Sequence, residues 1–231
     1  MNPRLQNDLK VERKLVIIGC GSQGRMLKNF VAQYPLGYRF IGFLDDQITT
    51  FKEAEGTFTA PLSYSYELLK DDVHFILAIG NVDDRFEVAK RLMHIPENRY
   101  ATIIHPDAYV DRTVKIGAGT YISAHAAIMH DVSIGHHTSI LTGSVIEYES
   151  QIGSFVNISP NATLCGNVCV NDISFVGAGA SIIQGITLGK RNLIGAGATV
   201  IRDVADNSLA LGTPAMSKPR KTETTLFNVF L

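Results

Sequence analysis

The sequence predicts a small open α/β unit followed by a prism of short β-strands built on a six-residue repeat. Three observations predict it. The first is an unbroken run of aliphatic residues spaced by six: Val110, Ile116, Ile122, Ile128, Ile134, Ile140, Ile146, Ile152, Ile158, Leu164, Val170, Val176, Ile182, Leu188, Ile194 and Val200. The second is a companion register four residues further on, where small or β-branched residues recur, among them Thr120, Ala126, Thr138, Ser144, Ala162 and Ala180. The third is a glycine-rich turn, Gly19-Cys20-Gly21-Ser22-Gln23-Gly24, between an apolar run and an amphipathic stretch. A period of six is neither the 3.6 of a helix nor the 2 of a simple strand, but a hexapeptide β-helix produces it.

The prism follows from the period. Each hexad makes one strand and a corner, and three hexads close a triangular coil, so residues eighteen apart stack. The inward ladders are then Val110/Ile128/Ile146/Leu164/Ile182/Val200, Ile116/Ile134/Ile152/Val170/Leu188 and Ile122/Ile140/Ile158/Val176/Ile194. Each buried aliphatic contributes roughly 1.5–3 kcal/mol before chain entropy is subtracted. Gly and Asn near the corners supply the positive φ that a tight turn needs.

The α/β unit precedes it. Lys14–Ile18 reads as a buried strand, the glycine turn leads into a helix reaching about Tyr34, and Pro35 and Gly37 end it. Arg39–Leu44 is a second strand closing on Asp45-Asp46; a looser stretch leads through Ala60-Pro61 into Leu62–Leu69. Val73–Ile79 is a third strand, Asp84–His94 a second helix and Tyr100–Ile104 a fourth strand, before His105-Pro106 hands the chain to the prism. Gly19-x-Gly21-x-x-Gly24 with Asp45 beyond it matches a dinucleotide fingerprint, but the unit has room for only one mononucleotide-binding half. A phosphate or ribose site for a nucleotide-linked substrate is the expectation, with NAD binding and a purely structural turn as alternatives.

The 231 residues, 45% hydrophobic, allow two domains with real cores, and a net charge of -1 gives no electrostatic reason to expect nucleic acid or an anionic membrane as partner. Cys20, Cys165 and Cys169 form neither a metal-ligand spacing nor a disulfide framework. With no signal peptide and no apolar run of membrane-spanning length, a soluble cytoplasmic protein without membrane insertion is expected. The expected organisation is a flexible arm over 1–13, the α/β domain over 14–104, the prism over 105–216 and a tail over 217–231 whose apolar residues Leu226, Phe227, Val229, Phe230 and Leu231 need cover.

Several motifs in this order carry a resemblance. They are Ile17-Ile18-Gly19-Cys20-Gly21-Ser22-Gln23-Gly24, Phe43-Leu44-Asp45-Asp46, Ile104-His105-Pro106, the hexads, and Gly212-Thr213-Pro214-Ala215 at the exit. The chain resembles bacterial sugar O-acyltransferases of the sialic acid O-acetyltransferase type and the nucleotide-amino-sugar N-acetyltransferases of surface-glycan biosynthesis. The resemblance implies a Rossmann-like N-terminal domain holding the sugar nucleotide, a left-handed β-helix, a homotrimer, and acetyl-CoA as acyl donor in clefts between prisms. It implies acetyl-CoA contacts near Asn157, Gly166, Ala178 and Ala196, and substrate contacts from Gly21, Ser22, Gln23, Asp45 and Asp46.

The family's catalytic motif is a His followed by an acid, within the stretch that here reads Gly143-Ser144-Val145-Ile146-Glu147-Tyr148-Glu149. Glu149 supplies the acid, but Tyr148 stands where the His is usual. Asn157, Leu141 and Gln23 also replace polar residues usual in the family. Acyl transfer from a thioester needs a base to deprotonate the acceptor, worth about 10²–10⁴-fold. A free imidazole titrates near 6.5 and a free phenol near 10, so tyrosine is a poor exchange. Subtracting eighteen from 148 gives His130, one coil away in the same column, and coils stack roughly 4.8 Å apart. His130, Tyr148 and Glu149 are therefore the candidate catalytic residues, with His130 as the relocated base; the alternative is that His130 is a surface histidine at a corner with no catalytic role.

Two rival functions remain. The lost His at position 148 suits a non-catalytic homologue that binds a sugar nucleotide or a partner enzyme. His125 and His130 have the spacing of paired ligands in γ-class carbonic anhydrases, which share the prism, but the third ligand would fall near Ala89, outside it. No metal is expected.

Overall fold

The computed structural model describes residues 12–221, and its contacts divide the chain into two units, Met1–Pro106 and Asp107–Leu231. Most of the expected N-terminal arm and the apolar residues of the tail lie outside the described residues.

The first unit holds a five-stranded sheet of β1 (Arg13–Ile18), β2 (Tyr38–Asp45), β3 (Lys52–Ala54), β4 (Thr57–Pro61) and β5 (Val73–Leu77), in the order β3-β4-β2-β1-β5. β1 runs parallel to both β2 and β5, and its Leu15, Val16, Ile17 and Ile18 are buried. That is the burial expected of a central parallel strand covered on both faces. Helix α1 (Ser22–Gln33) follows β1, a short α2 (Ser65–Leu68) follows β4, and α3 (Val82–Arg91) follows β5. The side chain of Asn81 caps α3 by accepting the N–H groups of Asp83 and Asp84, at 2.9 and 3.4 Å.

Two features depart from the sequence expectation. The loose stretch after Asp46 contains a hairpin, because β3 pairs antiparallel with β4 across Glu55-Gly56, both at positive φ. The strand expected at Tyr100–Ile104 shrinks to Ile103–Ile104, with a single bridge from Tyr100 to Phe75. His105 is buried, its ring stacked on Phe30 with centroids 4.7 Å apart, so it serves packing.

The second unit is the left-handed β-helix. Each hexad gives a two-residue strand ending on its aliphatic, and each strand pairs in parallel with those eighteen residues before and after it. The three ladders form as the spacing predicts, and every rung except half-buried Ile116, in the first coil, is buried. The companion register adds polar staples inside the prism. Thr138 Oγ1 donates to the Gly153 carbonyl at 2.8 Å and accepts the Val156 N–H at 3.1 Å; Ser150 and Ser174 make the same pair of bonds in their coils. A buried hydroxyl satisfied both ways ties successive coils without a net polar cost.

The corners use the left-handed backbone region more freely than glycine alone would allow. Asp131, Glu149, Phe155 and Ile173 all sit at φ near 60°. An L-residue pays about 1–2 kcal/mol for that conformation; in exchange, the N–H of Glu149, Phe155 and Ile173 reaches a carbonyl of the preceding coil, as Glu149 does to His130 at 3.1 Å, and that of Asp131 reaches the Thr113 hydroxyl. The last coil leads to Ser208–Leu211, which pairs antiparallel with Met216–Pro219.

Candidate active site

One corner of the prism stacks Arg112-Thr113, His130-Asp131, Tyr148-Glu149 and Gly166-Asn167 over successive coils. The rings of His130 and Tyr148 lie nearly parallel, with centroids 5.6 Å apart and planes inclined by 10°. This is the spacing of an offset aromatic stack. Tyr148 is exposed and its ring leans over Gly166, where a Cβ would stand 2.5 Å from Cε2. Only glycine there lets the phenol ring lie across the corner.

His130 has a second partner. Its Nδ1 is 3.1 Å from Oδ2 of Asp131. A carboxylate only accepts, so Nδ1 carries the proton and, in the neutral ring, Nε2 keeps its lone pair. Asp131 is itself tied down: its N–H donates to Thr113 Oγ1 at 2.7 Å, and that hydroxyl donates to Asp111 Oδ1 at 2.7 Å. The Thr113 N–H and O–H hold the Asp111 carboxyl below the usual carboxylate range, with the nearby charges of His130 and Arg112 acting in the same direction.

Beside this corner is a groove of about 370 Å³ whose polar lining is Thr113, Lys115, Asp131, Ser133, Glu149 and Gln151. Two carboxylates face one ammonium there, a local excess of negative charge suited to a cationic group. Sequence reasoning named Glu149 but not Asp131, Thr113 or Lys115. The column arithmetic that pairs 130 with 148 also pairs 131 with 149, so the signal for Asp131 was present.

The residues expected at the acyl donor do not gather within one chain. Gly166 shares the Tyr148 corner and is covered by that ring. Ala178 and Ala196 are exposed and stacked at a different corner. Asn157 is buried on a prism face, where its Nδ2 donates to Ser159 Oγ at 3.0 Å. The two corners flank one face, on which Ala127, Val145 and Thr163 point outward in neighbouring strands.

In the first unit, Gly21, Ser22, Gln23, Asp45 and Asp46 do come together, at the C-terminal ends of β1 and β2. The strand order reverses at β1, and crevices at such a reversal are where open α/β sheets take ligands. Gly19 turns the chain at φ 103°, and Gly24 packs so closely on the Gly19 carbonyl that no side chain fits. Asp45 is already engaged: Oδ2 accepts the Cys20 N–H at 2.8 Å and Oδ1 the Gln47 N–H at 2.9 Å. Burial alone would raise the Asp45 carboxyl, but these N–H donors outweigh it and hold the group below its ordinary value. Asp46 is paired with Arg91 at 3.3 Å, and Gln23 Oε1 lies beside Gly80 at the end of β5. Arg85, not anticipated, is fully buried below this turn, donates to the Ile79 carbonyl at 3.0 Å and is pushed by desolvation down to about 10.

Among the described residues no three His, Cys, Asp or Glu side chains converge into a set that could hold a metal, and no helix is long and apolar enough to cross a membrane.

The α/β unit with its glycine turn and the hexad prism have known counterparts. Residues 14–92 match the PglD N-terminal domain family. UDP-N-acetylbacillosamine N-acetyltransferase of Bacillus subtilis (strain 168) is 38% identical over 114 residues, which are 48% of this chain and 52% of that protein. The chain thus spans about half the length of the curated relative it matches. Among solved structures, PerB from Caulobacter crescentus in complex with CoA and GDP-perosamine matches with a TM-score of 0.79 and 28% identity, over 89% of this chain and 97% of that one. The acetyltransferase domain of PglB from Neisseria gonorrhoeae, in complex with acetyl coenzyme A, matches with a TM-score of 0.77 and 27% identity, over 90% and 99%. Over most of its length the chain is similar to structures of sugar N-acetyltransferases, and its first unit matches the PglD N-terminal domain.

Proposed function

We propose that the protein is an acetyl-CoA-dependent acetyltransferase that acylates the amino group of a nucleotide-linked sugar. The match that carries this is the one to PerB, which spans both units in the same order and whose structure holds CoA and GDP-perosamine. In the reaction the acceptor nitrogen attacks the thioester carbonyl carbon, a C–N bond forms, the C–S bond breaks, and CoA leaves as thiolate. An acceptor that arrives as an ammonium first loses one proton to solvent; the neutral amine then attacks, a second proton leaves the nitrogen, and one reaches the sulfur.

His130 is the group that takes and returns that proton. Its Nε2 is the acceptor of a neutral ring whose Nδ1–H is held by Asp131. Tyr148 stacks on that ring, which restricts the imidazole to one plane. The carboxylates of Asp131 and Glu149 in the adjoining groove favour an acceptor that arrives as an ammonium, and hence an amino sugar over a hydroxyl acceptor. The nucleotide end belongs at the glycine turn, where the N–H groups opening α1 have no side-chain cap.

The split of the donor-site residues between two corners supports a homotrimer. If three prisms place the Ala127/Val145/Thr163 face around a common axis, the Tyr148 corner of one copy meets the Ala178/Ala196 corner of the next. Each cleft is then completed by two chains.

The test is release of CoA thiol from acetyl-CoA with GDP-perosamine or a UDP-linked amino sugar as acceptor, together with thermal melting in the presence of each ligand alone. Acceptor-dependent thiol release is expected. Stabilisation by a nucleotide sugar but not by CoA, with no release, would instead establish a sugar-nucleotide-binding homologue.

A further inference from the structure

We infer that Asp131 is the positioning residue of the proton-transfer base, so that the paired His and acid of this fold's corner have moved together by one coil, from 148–149 to 130–131. The inference rests on His130 being the base and adds what makes it one. Columns eighteen residues deep place His130 under Tyr148 and Asp131 under Glu149. The two members of the lower pair are bonded to each other, Nδ1 to Oδ2 at 3.1 Å.

The geometry of Asp131 is fixed from the coil below it. Its backbone occupies the left-handed region at φ 59°, and its N–H is held by Thr113 Oγ1 at 2.7 Å. Thr113 is held in turn by two bonds to one oxygen of Asp111, from its N–H at 2.9 Å and its hydroxyl at 2.7 Å. A three-residue chain, Asp111–Thr113–Asp131, therefore sets the carboxylate that sets the imidazole. Tyr148 limits the ring from the coil above. An exposed histidine without such partners would sample several rotamers and both tautomers; here one nitrogen is assigned as donor and the other is left as acceptor.

The proton balance follows. Once the acceptor ammonium has given one proton to solvent, the neutral ring receives the amine's second proton at Nε2 as the C–N bond forms, while Nδ1–H stays donated to Asp131. The imidazolium then returns that proton to the departing CoA sulfur, restoring the ring. Asp131 remains ionised throughout and gains most when the ring is charged, which is when stabilisation lowers the barrier. Its other face lines the groove, so the carboxylate that orients the base also borders the space assigned to the acceptor ammonium.

The experiment is a double-mutant cycle in the full chain, with acetyl-CoA and GDP-perosamine or a UDP-linked amino sugar as substrates. Asp131→Asn is expected to lower kcat by roughly tenfold to a hundredfold with the KM for acetyl-CoA unchanged, and Asp131→Glu to recover part of that loss. In a His130→Ala background Asp131→Asn is expected to have no further effect, because it acts through the missing ring. Equal losses in both backgrounds overturn the inference, as does a normal rate in Asp131→Asn beside a slow His130→Ala. A normal rate in His130→Ala overturns the assignment of the base itself and the inference with it. A second readout needs no acceptor: ¹⁵N-histidine NMR, with the His130 signal assigned by its loss in His130→Ala. It should show Nδ1 protonated in the neutral ring and a shift towards the Nε2–H tautomer in Asp131→Asn. A tautomer unmoved by that substitution contradicts the inference.

Discussion

Tyr148 lies across His130 one coil up the prism, ring centroids 5.6 Å apart and planes within 10° of each other. In the proposed mechanism, the stack lets a corner with Tyr148 at the family's usual histidine position serve proton transfer. The aromatic ring at 148 confines a histidine contributed by the coil before it. The phenol in turn fits only because residue 166 has no side chain.

Gly166→Ala should therefore destabilise the protein through Tyr148. The added methyl forces the phenol ring off its position, at a cost of order 0.5–1.5 kcal/mol for an off-rotamer side chain. In a Tyr148→Ala background the same substitution should be nearly neutral. Melting temperatures of the four proteins check this; an equal drop in both backgrounds would place the strain in the backbone instead.

The rungs should differ in a graded way. Ile158 is fully buried in the middle of its ladder, and Ile158→Ala should cost about 2–5 kcal/mol. Ile116 is half-exposed in the first coil, so Ile116→Ala should cost clearly less. Urea denaturation of both variants measures the difference.

The polar staples are equally testable. Thr138→Val keeps the shape but leaves the Val156 N–H and the Gly153 carbonyl buried without this partner. A loss of about 1–3 kcal/mol is expected from the unmet groups. Thr138→Ser, which restores the hydroxyl, should recover most of it.

Asp45 gives the first unit a pH dependence of known sign. Its folded carboxyl titrates below the ordinary value, so the stability it contributes is present above the unfolded pKa of about 3.9 and is lost as pH falls through the folded value. Asp45→Ala should melt lower than the wild type at neutral pH, and the gap should close in acid below about pH 4. A gap that is constant with pH would mean that the Cys20 and Gln47 bonds contribute nothing to it.

Much of the fold was legible because the repeat is local. A hexad writes its inward residue, its companion and its corner within six positions, and stacking by eighteen then follows without long-range information. The hairpin of β3 and β4 was not legible, since Lys52-Glu53-Ala54 is exposed on every residue and has no alternating pattern; Glu55-Gly56 was its one signal. The pairing of His130 with Tyr148 could be read from the column number, and Asp131 could have been. The groove could not, because Lys115, Ser133 and Gln151 belong to a face whose depth depends on side-chain conformation. The donor-site residues come from the family resemblance, which implies clefts between prisms and not one column. Asn157 and Ala178 differ by twenty-one, not eighteen, and so lie in different columns.

The most direct test exploits the two positions of the corner. In an acetyl-transfer assay, His130→Ala should lose about 10²–10⁴-fold in kcat. Adding Tyr148→His to it returns an imidazole to the same column, one coil higher beside Glu149, and should recover a measurable part of the rate. Turnover unchanged in His130→Ala would contradict the account: proton transfer would then not depend on the imidazole beneath Tyr148.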